Sequence, residues 1–341
     1  MRLKDFYYQL PRELIAQYPV LQRDGSRLLV LHRERGEIEH KRFYEILYYF
    51  REGDVLVLNN TYVIPARLKG KKEATGGKAE VLLLKKKEED IWECLLKPAK
   101  SIREESSIFF PETELKAYIL KKGRGAKAIV KFIPPGKLNR LITKIGQVPL
   151  PPYIKREGCP SSRDRKRYQT VYAKEEGAIA APTAGLHFTS SLLQKIKDKG
   201  VKIVEVTLHT GWASFKPLNE EVVEENQIPE EFYKIEAEAA KIIRGAKRVV
   251  TVGTSAARAL ETQAKSTGLI EEGEGWTNLF IYPGYTFKIA DSLITNFHMP
   301  GTSLILLVSA FVGREKLLAA YKEAIKEKYR FLSFGDAMLI I

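Results

Sequence analysis

The sequence is poor in the residues that build disulfide frameworks and metal centres. It has 341 residues but only two cysteines, Cys94 and Cys159, which lie far apart in the chain. Neither belongs to a CxxC pair, and none of the five histidines has His-x-x-x-His spacing. The sequence therefore predicts neither disulfides nor a bound metal. Reduced thiols of this kind are typical of cytosolic proteins.

Long apolar segments are also missing. The longest apolar run, residues 304–312, is far below the ~20 residues that span a bilayer. Residues 1–10 carry charges and tyrosines, so they do not resemble the apolar core of a signal peptide. We therefore expect a cytoplasmic protein that does not enter a membrane.

Acidic residues are absent from one long stretch of the chain. The whole sequence has 56 lysines and arginines against 42 aspartates and glutamates, a net charge of +14. Such an excess suits either a polyanionic partner or an ordinary solvated surface. Residues 115–156, however, contain eleven basic residues and no acidic one. This run favours a nucleic-acid surface. The RNA-binding candidates are six residues of this run and two of the segment that follows it: Lys121, Lys122, Arg124, Lys127, Arg140, Lys144, Arg165 and Arg167.

The pattern of short and long elements predicts two kinds of domain. With 44% hydrophobic and 29% charged residues, the chain is globular and long enough for two domains. Residues 55–58 and 248–252 are apolar, strand-like runs followed by polar residues or glycine, which is typical of open α/β sheets. Between residues 80 and 133, short strand-like runs alternate with glycine and proline turns. We predict an α/β core of residues 1–65 and 151–341, with an all-β barrel-like domain inserted at 66–150.

A strand–turn–helix motif lies at residues 248–258 (RVVTVGTSAAR). Gly253 would let a ligand approach the backbone, and the helix start after it suits a carboxylate or phosphate. The motif lacks GxGxxG and is not a dinucleotide fingerprint. Taken alone, capping of the helix by Thr254 or Ser255 explains it better than a ligand does.

Three of the five histidines lie in polar turns that contain glycine or proline. His187 follows small residues in AAPTAGLHF, His209 follows a predicted strand, and His298 precedes the apolar run. Core packing explains such positions poorly, although a lone buried histidine is often structural. We favour roles in proton transfer or substrate contact.

Long segments of the chain resemble the S-adenosylmethionine:tRNA ribosyltransferase-isomerases of queuosine biosynthesis. In the C-terminal half they are YQTVYA (168–173), AAPTAGLHF (180–188), RVVTVGTSAARALE (248–261), PGYTFKIADSLITNFHMPGTSLILLVSAF (283–311) and YRFLSFGDAML (329–339). In the N-terminal half they are residues 5–31, 58–68 and 146–154. The resemblance covers essentially the whole chain in order.

The resemblance implies an α/β core with an inserted all-β domain and a reaction on tRNA. The substrate is a tRNA whose wobble base is 7-aminomethyl-7-deazaguanine. S-adenosylmethionine is consumed as a ribosyl donor, and no other cofactor is expected. The products are epoxyqueuosine in the tRNA, adenine and methionine. We expect a monomer.

The resemblance also suggests which residues form the site. His187 and His298 are the leading acid–base candidates, and His209 is a third contributor. Candidates for the pocket of S-adenosylmethionine and the base are Thr183, Gly185, Thr254 and Asn296, with Asp24, Arg27, Asn60 and Thr61 from the N-terminal half.

One segment departs from the family pattern. Members commonly carry H-x-M-H-x-E after a G-x-F-x-P stretch, which is residues 211–217 here. This chain has Asn226 and Pro229 at the histidine positions and retains the acid as Glu231. No catalytic role can be carried over to the two replaced positions.

Two other functions compete with this interpretation. An S-adenosylmethionine-dependent RNA methyltransferase would release S-adenosylhomocysteine, but no glycine-rich loop of the common methyltransferase type is evident. A noncatalytic RNA-binding module would bind tRNA in a salt-sensitive complex without turnover. The polar histidine turns outside the basic stretch argue against that module, and the resemblance separates all three functions.

Overall fold

The structure, a computed structural model, describes residues 1–212 and 216–341. These residues form two compact units. The first comprises Met1–Tyr62, Pro151–Lys155 and Arg167–Ile341, and the second comprises Val63–Leu150 and Arg156–Lys166. Residues 156–166 thus group with the second unit, whereas the sequence prediction assigned them to the core. The domain limits at residues 66 and 150 stay a prediction.

The strands and helices follow one another along the chain. The strands are β1 (Arg27–Leu31), β2 (Ile38–Arg42), β3 (Asp54–Asn59), β4 (Thr61–Val63), β5 (Arg67–Lys72), β6 (Lys78–Lys86), β7 (Ile91–Lys97), β8 (Ser107–Phe109), β9 (Lys116–Lys122), β10 (Lys127–Ile133), β11 (Glu175–Ala178), β12 (Lys202–Leu208), β13 (Glu231–Ile235), β14 (Arg248–Val252), β15 (Gly273–Thr277), β16 (Ser292–Asn296) and β17 (Ala337–Ile340). The α-helices are α1 (Leu138–Ile145), α2 (Ser162–Arg167), α3 (Ser190–Asp198), α4 (Ala237–Arg244), α5 (Gly253–Thr267), α6 (Ser303–Val312) and α7 (Arg314–Lys326). Short 3₁₀ turns lie at Leu3–Phe6, Arg12–Leu14, Arg23–Gly25, Phe43–Tyr49, Ala99–Ser101, Thr183–His187 and Val223–Glu225.

The first unit is built on a nine-stranded mixed sheet. Its strand order is β15-β13-β12-β3-β14-β16-β17-β1-β2. The central strands β12, β3, β14 and β16 run parallel to one another. Every residue of β3 is buried, because helices cover both faces of the parallel centre and leave no polar face.

Alternate residues of β3 pack against different helices. Leu56 and Leu58 belong to a core cluster that includes Leu192 and Ile196 of α3. Val55 and Val57 belong to a second cluster, which includes α4 and the small residues of α5. The alternation places α3 on one face of the sheet and α5 on the other.

The connections diverge between β3 and β14. The chain passes from β3 to β12 on one side through α3, and from β14 to β16 on the other side through α5. In open α/β sheets, such a reversal leaves a crevice outside the carboxyl ends of the strands, where ligands bind. The fold therefore predicts a ligand site among the residues that follow β3, β12, β14 and β16.

The second unit contains a closed antiparallel barrel of order β10-β7-β6-β5-β8-β9. Inward and outward residues alternate, as in β10, where Ala128, Val130 and Phe132 are buried and Lys127 and Lys131 are exposed. This alternation fills the barrel interior with apolar side chains and leaves lysines outside. The predicted fold class, an α/β core with an inserted all-β barrel-like domain, is confirmed.

No helix in residues 1–212 and 216–341 combines the length and the apolar character that crossing a membrane requires.

Candidate functional site

Two cavities of the first unit share part of their lining and form one cleft. The smaller, about 350 Å³, is named the Asn296 cavity. The larger, about 500 Å³, is named the Arg258 cavity. Thr183, His298 and Leu304 line both.

The cleft lies where the fold predicts a ligand site. Thr295 and Asn296 end β16, Gly253 and Thr254 follow β14, and Thr210 follows β12. All five line one of the two cavities. Because β12, β14 and β16 are parallel, their carboxyl ends bring residues that are distant in sequence to a single edge of the sheet.

His298 is the one predicted acid–base candidate that lines both cavities. Its side chain is buried, and Nε2 lies 2.7 Å from the hydroxyl of Thr295. The backbone on either side is held by Tyr321, whose hydroxyl accepts from the His298 N–H, and by Tyr8, whose hydroxyl donates to the His298 carbonyl. Burial lowers the pKa of His298 to about 3, so the ring is neutral at pH 7.

His187 lies behind Asn296 and is absent from the lining of either cavity. Nδ1 of its buried ring is 2.7 Å from the Ser26 hydroxyl, and Nε2 is 3.3 Å from Nδ2 of Asn296. The ring stacks on Phe43, with centroids 5.0 Å apart. Burial, followed by the charges of Arg330 and Arg23, lowers the pKa of His187 to about 3. This histidine therefore holds Asn296 and stays neutral.

Asn296 presents an amide oxygen that has no partner in the described part of the chain. Its Nδ2 also donates to the carbonyl groups of Leu332 and Asp336, at 3.1 and 3.4 Å. Its Oδ1 is buried without a hydrogen bond. Since Asn296 lines the smaller cavity, a ligand with an N–H or O–H group could satisfy this oxygen.

Arg258 and Thr210 are site residues that sequence reasoning missed. Arg258 donates from Nη1 to Glu231 at 2.5 Å and from Nε to the Leu279 carbonyl at 3.2 Å. Glu231 also accepts from the Gly211 N–H at 2.6 Å. Two signals could have found them: Arg258 stands one helical turn after Thr254, and Thr210 directly follows His209.

His209, Asn60 and Thr61 form a separate cluster at the ends of β12 and β3. Nδ1 of His209 lies 2.7 Å from the Thr61 hydroxyl, and its ring stacks on Phe232. Asn60 accepts from the Thr207 hydroxyl at 2.8 Å. Burial lowers the pKa of His209, and Glu175 opposes that shift. The lining of the cleft includes none of the three predicted residues.

The structure places three other pocket candidates in supporting contacts. Asp24 accepts from the Thr189 hydroxyl at the start of α3. The guanidinium of Arg27 lies 3.7 Å from the ring centre of Tyr329. A Cβ at Gly185 would lie 2.0 Å from the Tyr172 hydroxyl, so glycine is required there by packing. Of the residues predicted for the pocket, the cleft brings together Thr183, Thr254 and Asn296.

The basic stretch is partly compensated by acids from elsewhere in the second unit. Lys116 pairs with Glu73, Lys127 with Glu93, Lys137 with Glu114, and Arg156 with Asp164. These acids lie outside residues 115–156, which is why the sequence pattern overstated the free charge.

The remaining basic candidates fall into two groups. Lys122 donates to the Ala99 carbonyl, Arg165 to that of Thr143, and Arg167 to those of Val20 and Leu21. Within the described ranges, the other four are exposed and have no ion pair: Lys121, Arg124, Arg140 and Lys144. Arg140 and Lys144 lie one turn apart on α1.

In the segment that departs from the family pattern, Asn226 stands where family members carry a histidine, and its side chain binds the local backbone. Its Oδ1 accepts from the N–H groups of Asn219 and Glu220, and its Nδ2 donates to the carbonyl of Val222. Glu231, the retained acid, binds Arg258. Residues 213–215, in the preceding G-x-F-x-P stretch, lie outside the described residues.

Residues 1–212 and 216–341 contain no group of three or more His, Cys, Asp or Glu side chains that could hold a metal ion.

Comparisons with known proteins agree over the whole chain. A family model described as "Queuosine biosynthesis protein" matches residues 3–340. A curated protein from Acetivibrio thermocellus, S-adenosylmethionine:tRNA ribosyltransferase-isomerase, is 50% identical over 344 residues, which is 100% of each chain. A crystal structure of S-adenosylmethionine tRNA ribosyltransferase from Thermotoga maritima is 40% identical, with a TM-score of 0.56. That likeness covers 99% of this chain and 100% of the other.

Proposed function

This chain belongs to the family of queuosine biosynthesis proteins, and we infer that it is an S-adenosylmethionine:tRNA ribosyltransferase-isomerase. It transfers and isomerises the ribosyl moiety of S-adenosylmethionine onto 7-aminomethyl-7-deazaguanine at the tRNA wobble position. The products are epoxyqueuosine in the tRNA, adenine and methionine. The observation that carries this conclusion is 50% identity over full length to a curated enzyme of that name.

The chemistry requires a base, an acid for the departing adenine and hydrogen-bond donors for the shifting oxygen. The sulfonium of S-adenosylmethionine makes the neighbouring C5′–H bond acidic, so a base can remove that proton. Adenine then leaves, taking up a proton, and the sugar ring opens to an unsaturated sulfonium. The primary amine of the modified base adds to C4′, the carbanion formed at C5′ attacks the C1′ aldehyde to close the carbocycle, and the new alkoxide displaces methionine as it forms the epoxide. Each proton transfer favours a group held at a fixed position.

We assign the acid–base role to His298. Its neutral imidazole lines both cavities of the cleft, and Thr295 orients the ring. Asn296 supplies an unpaired amide oxygen in the same cleft, which suits a hydroxyl or amino group of the substrates. In this assignment His187 is a positioning residue that acts through Asn296, and Thr183 and Thr254 are polar contacts to the donor. His209, Asn60 and Thr61 contribute outside the cleft.

We assign tRNA binding to the exposed basic residues of the second unit. Lys121 and Arg124 lie at the β9–β10 turn, and Arg140 and Lys144 lie on α1. Basic side chains of this kind bind phosphates and position an RNA without reading its sequence. The protein is proposed to act as a monomer in the cytoplasm, with no cofactor beyond the consumed S-adenosylmethionine.

The test of this function is a product analysis. The protein is incubated with S-adenosylmethionine and tRNA that carries 7-aminomethyl-7-deazaguanine, and the released small molecules are quantified by chromatography. Equal amounts of adenine and methionine are expected, and tRNA with unmodified guanine serves as the control. Release of S-adenosylhomocysteine would indicate a methyltransferase instead. Tight tRNA binding without turnover would indicate a binding module.

A further inference from the structure

The Arg258 cavity contains two buried hydrogen-bond donors that nothing in the described part of the chain satisfies. They are Nη2 of Arg258 and the hydroxyl of Thr210. The two residues are only 8% and 9% exposed, and both line the cavity. An unpaired buried donor is unfavourable in a folded protein, and an acceptor supplied by a ligand would remove that cost. We propose that this cavity is a carboxylate subsite that binds the methionine carboxylate of S-adenosylmethionine.

The other contacts of Arg258 fix its orientation. Nη1 and Nε are engaged by Glu231 and the Leu279 carbonyl, and Glu231 is itself held by the Gly211 N–H. The side chain is therefore immobilised before any ligand arrives, and Nη2 is the guanidinium nitrogen that remains without a partner among the described residues. A guanidinium N–H is a strong donor to carboxylate oxygens.

The start of α5 adds a second source of positive potential to the same cavity. Gly253, Thr254 and Ser255 form its first turn, and all three line the cavity. The first N–H groups of a helix lack intrahelical partners and carry partial positive charge. The N-cap residue is Val252, whose apolar side chain cannot accept from these N–H groups. Arg258 lies on the same face, one turn after Thr254.

Gly253 keeps the approach to this helix start open. Its φ of +87° is a conformation that other residues rarely adopt, and it turns the chain from β14 into α5. The nearest atoms to a Cβ built there are 3.7 Å away, in Ala184 and Ser255. A ligand can therefore approach the backbone at this turn.

The hydrogen-bond donors favour an anionic ligand, and their burial favours a small one. A guanidinium nitrogen, a hydroxyl and helix N–H groups can all donate to an acceptor oxygen, and none of them favours a cation. The methionine carboxylate is the anionic group of S-adenosylmethionine. A tRNA phosphate has similar chemistry, but it is fixed to a bulky backbone, whereas the two unpaired donors are buried.

This assignment orients the donor along the cleft. It rests on the proposed function, since the carboxylate in question belongs to the ribosyl donor. With the methionine end at Arg258, the sulfonium and ribose extend towards His298, which borders both cavities. The acid–base candidate then lies on the side of the reacting carbon.

The test compares S-adenosylmethionine with decarboxylated S-adenosylmethionine, which keeps the sulfonium and nucleoside. Binding to the full-length protein is measured by titration calorimetry. The wild type is expected to bind the decarboxylated compound at least tenfold more weakly. Thr210→Val is expected to weaken S-adenosylmethionine binding by about tenfold, the value of one hydrogen bond to a charged group. It should leave binding of the decarboxylated compound unchanged.

Two further variants guard against structural effects. Thr170→Val removes another buried, unpartnered hydroxyl from a residue outside the lining of both cavities, so it should alter neither affinity. Arg258→Lys keeps a positive charge beside Glu231 but removes the guanidinium group. It should weaken binding of S-adenosylmethionine more than binding of the decarboxylated compound.

The outcomes separate this subsite from the function on which it rests. Equal affinity of the wild type for both compounds, with adenine still released on modified tRNA, would overturn the carboxylate subsite alone. Weaker tRNA binding by Thr210→Val, with S-adenosylmethionine binding intact, would assign the subsite to a phosphate and also overturn it. If the wild type neither binds S-adenosylmethionine nor releases adenine, the proposed function itself is overturned.

Discussion

Nδ2 of Asn296 lies 3.3 Å from Nε2 of His187, and this contact determines the state of both side chains. Two backbone carbonyls also lie within hydrogen-bond distance of Nδ2, so its two N–H groups are shared among three acceptors, the nitrogen faces His187 and Oδ1 faces away. Nε2 of His187 is then an acceptor, so the ring proton is on Nδ1 and is donated to Ser26. A histidine that looks catalytic in the sequence thus has the geometry of a support for a neighbouring amide.

Ser26→Ala should destabilise the protein and loosen Asn296. The substitution leaves the His187 Nδ1–H buried without an acceptor, which costs about 1–3 kcal/mol of unfolding free energy. Urea denaturation measures this loss, and steady-state kinetics should show a higher KM for S-adenosylmethionine. Ser26→Thr keeps the hydroxyl and should restore most of the KM. Full stability and unchanged kinetics of Ser26→Ala would remove Ser26 and His187 from the positioning role.

His298→Gln should reduce turnover far more than binding. Glutamine can still hydrogen-bond with Thr295 but cannot take up a proton, so kcat for adenine release should fall about 10²- to 10⁴-fold. The affinity for S-adenosylmethionine, measured by calorimetry, should change only a few-fold. His32→Gln, in a residue that contacts Glu39 away from the cleft, is the matched control. Near-normal kcat of His298→Gln would assign proton transfer to another group.

Stability should fall as the pH drops from about 6.5 towards 3. Burial lowers the pKa of both His187 and His298 to about 3, whereas unfolded histidine titrates near 6.5. Below that value the unfolded chain binds more protons, so acid favours unfolding. Each histidine contributes up to about 1.4 kcal/mol per pH unit.

Urea unfolding at pH 7, 6 and 5 measures this dependence. His298→Gln removes one of the two groups, so its unfolding free energy should fall less steeply with acid than that of the wild type. Identical slopes for the two proteins would mean that His298 is not buried in its neutral form.

The exposed basic residues should contribute most of the salt dependence of tRNA binding. Lys121→Gln and Arg124→Gln should weaken binding and lower the slope of log K against log salt by about 0.7–0.9 for each phosphate that the protein no longer neutralises. Lys116→Gln, whose lysine already pairs with Glu73, should change the slope less. Filter binding at several salt concentrations provides the values. Equal effects of all three substitutions would show that the ion pairs do not decide which charges bind RNA.

Parts of the site were accessible from the sequence because they lie in local motifs. Gly253 and Thr254 follow an apolar strand and start a helix, a pattern that period and composition reveal without a structure. Asn296 and His298 are likewise recognisable from the sequence, because both lie in one polar turn that follows a predicted strand. Ser26, Thr210 and Arg258 were not found, because their importance depends on contacts with residues that are distant in sequence. A hydroxyl between Asp24 and Arg27 carries no local sign that it binds His187.

The sequence by itself determined the fold class, the barrel and the family, because hydrophobic periodicity, turn residues and long motifs are local properties of the chain. Only the tertiary structure decided which histidine lines the cleft, since the parallel order of β12, β3, β14 and β16 sets which loop ends meet. It also decided which lysines remain unpaired, because acids outside residues 115–156 neutralise several of them. Burial likewise lowered the pKa of two histidines, an effect that depends on the side chains packed around each ring and not on its neighbours in sequence.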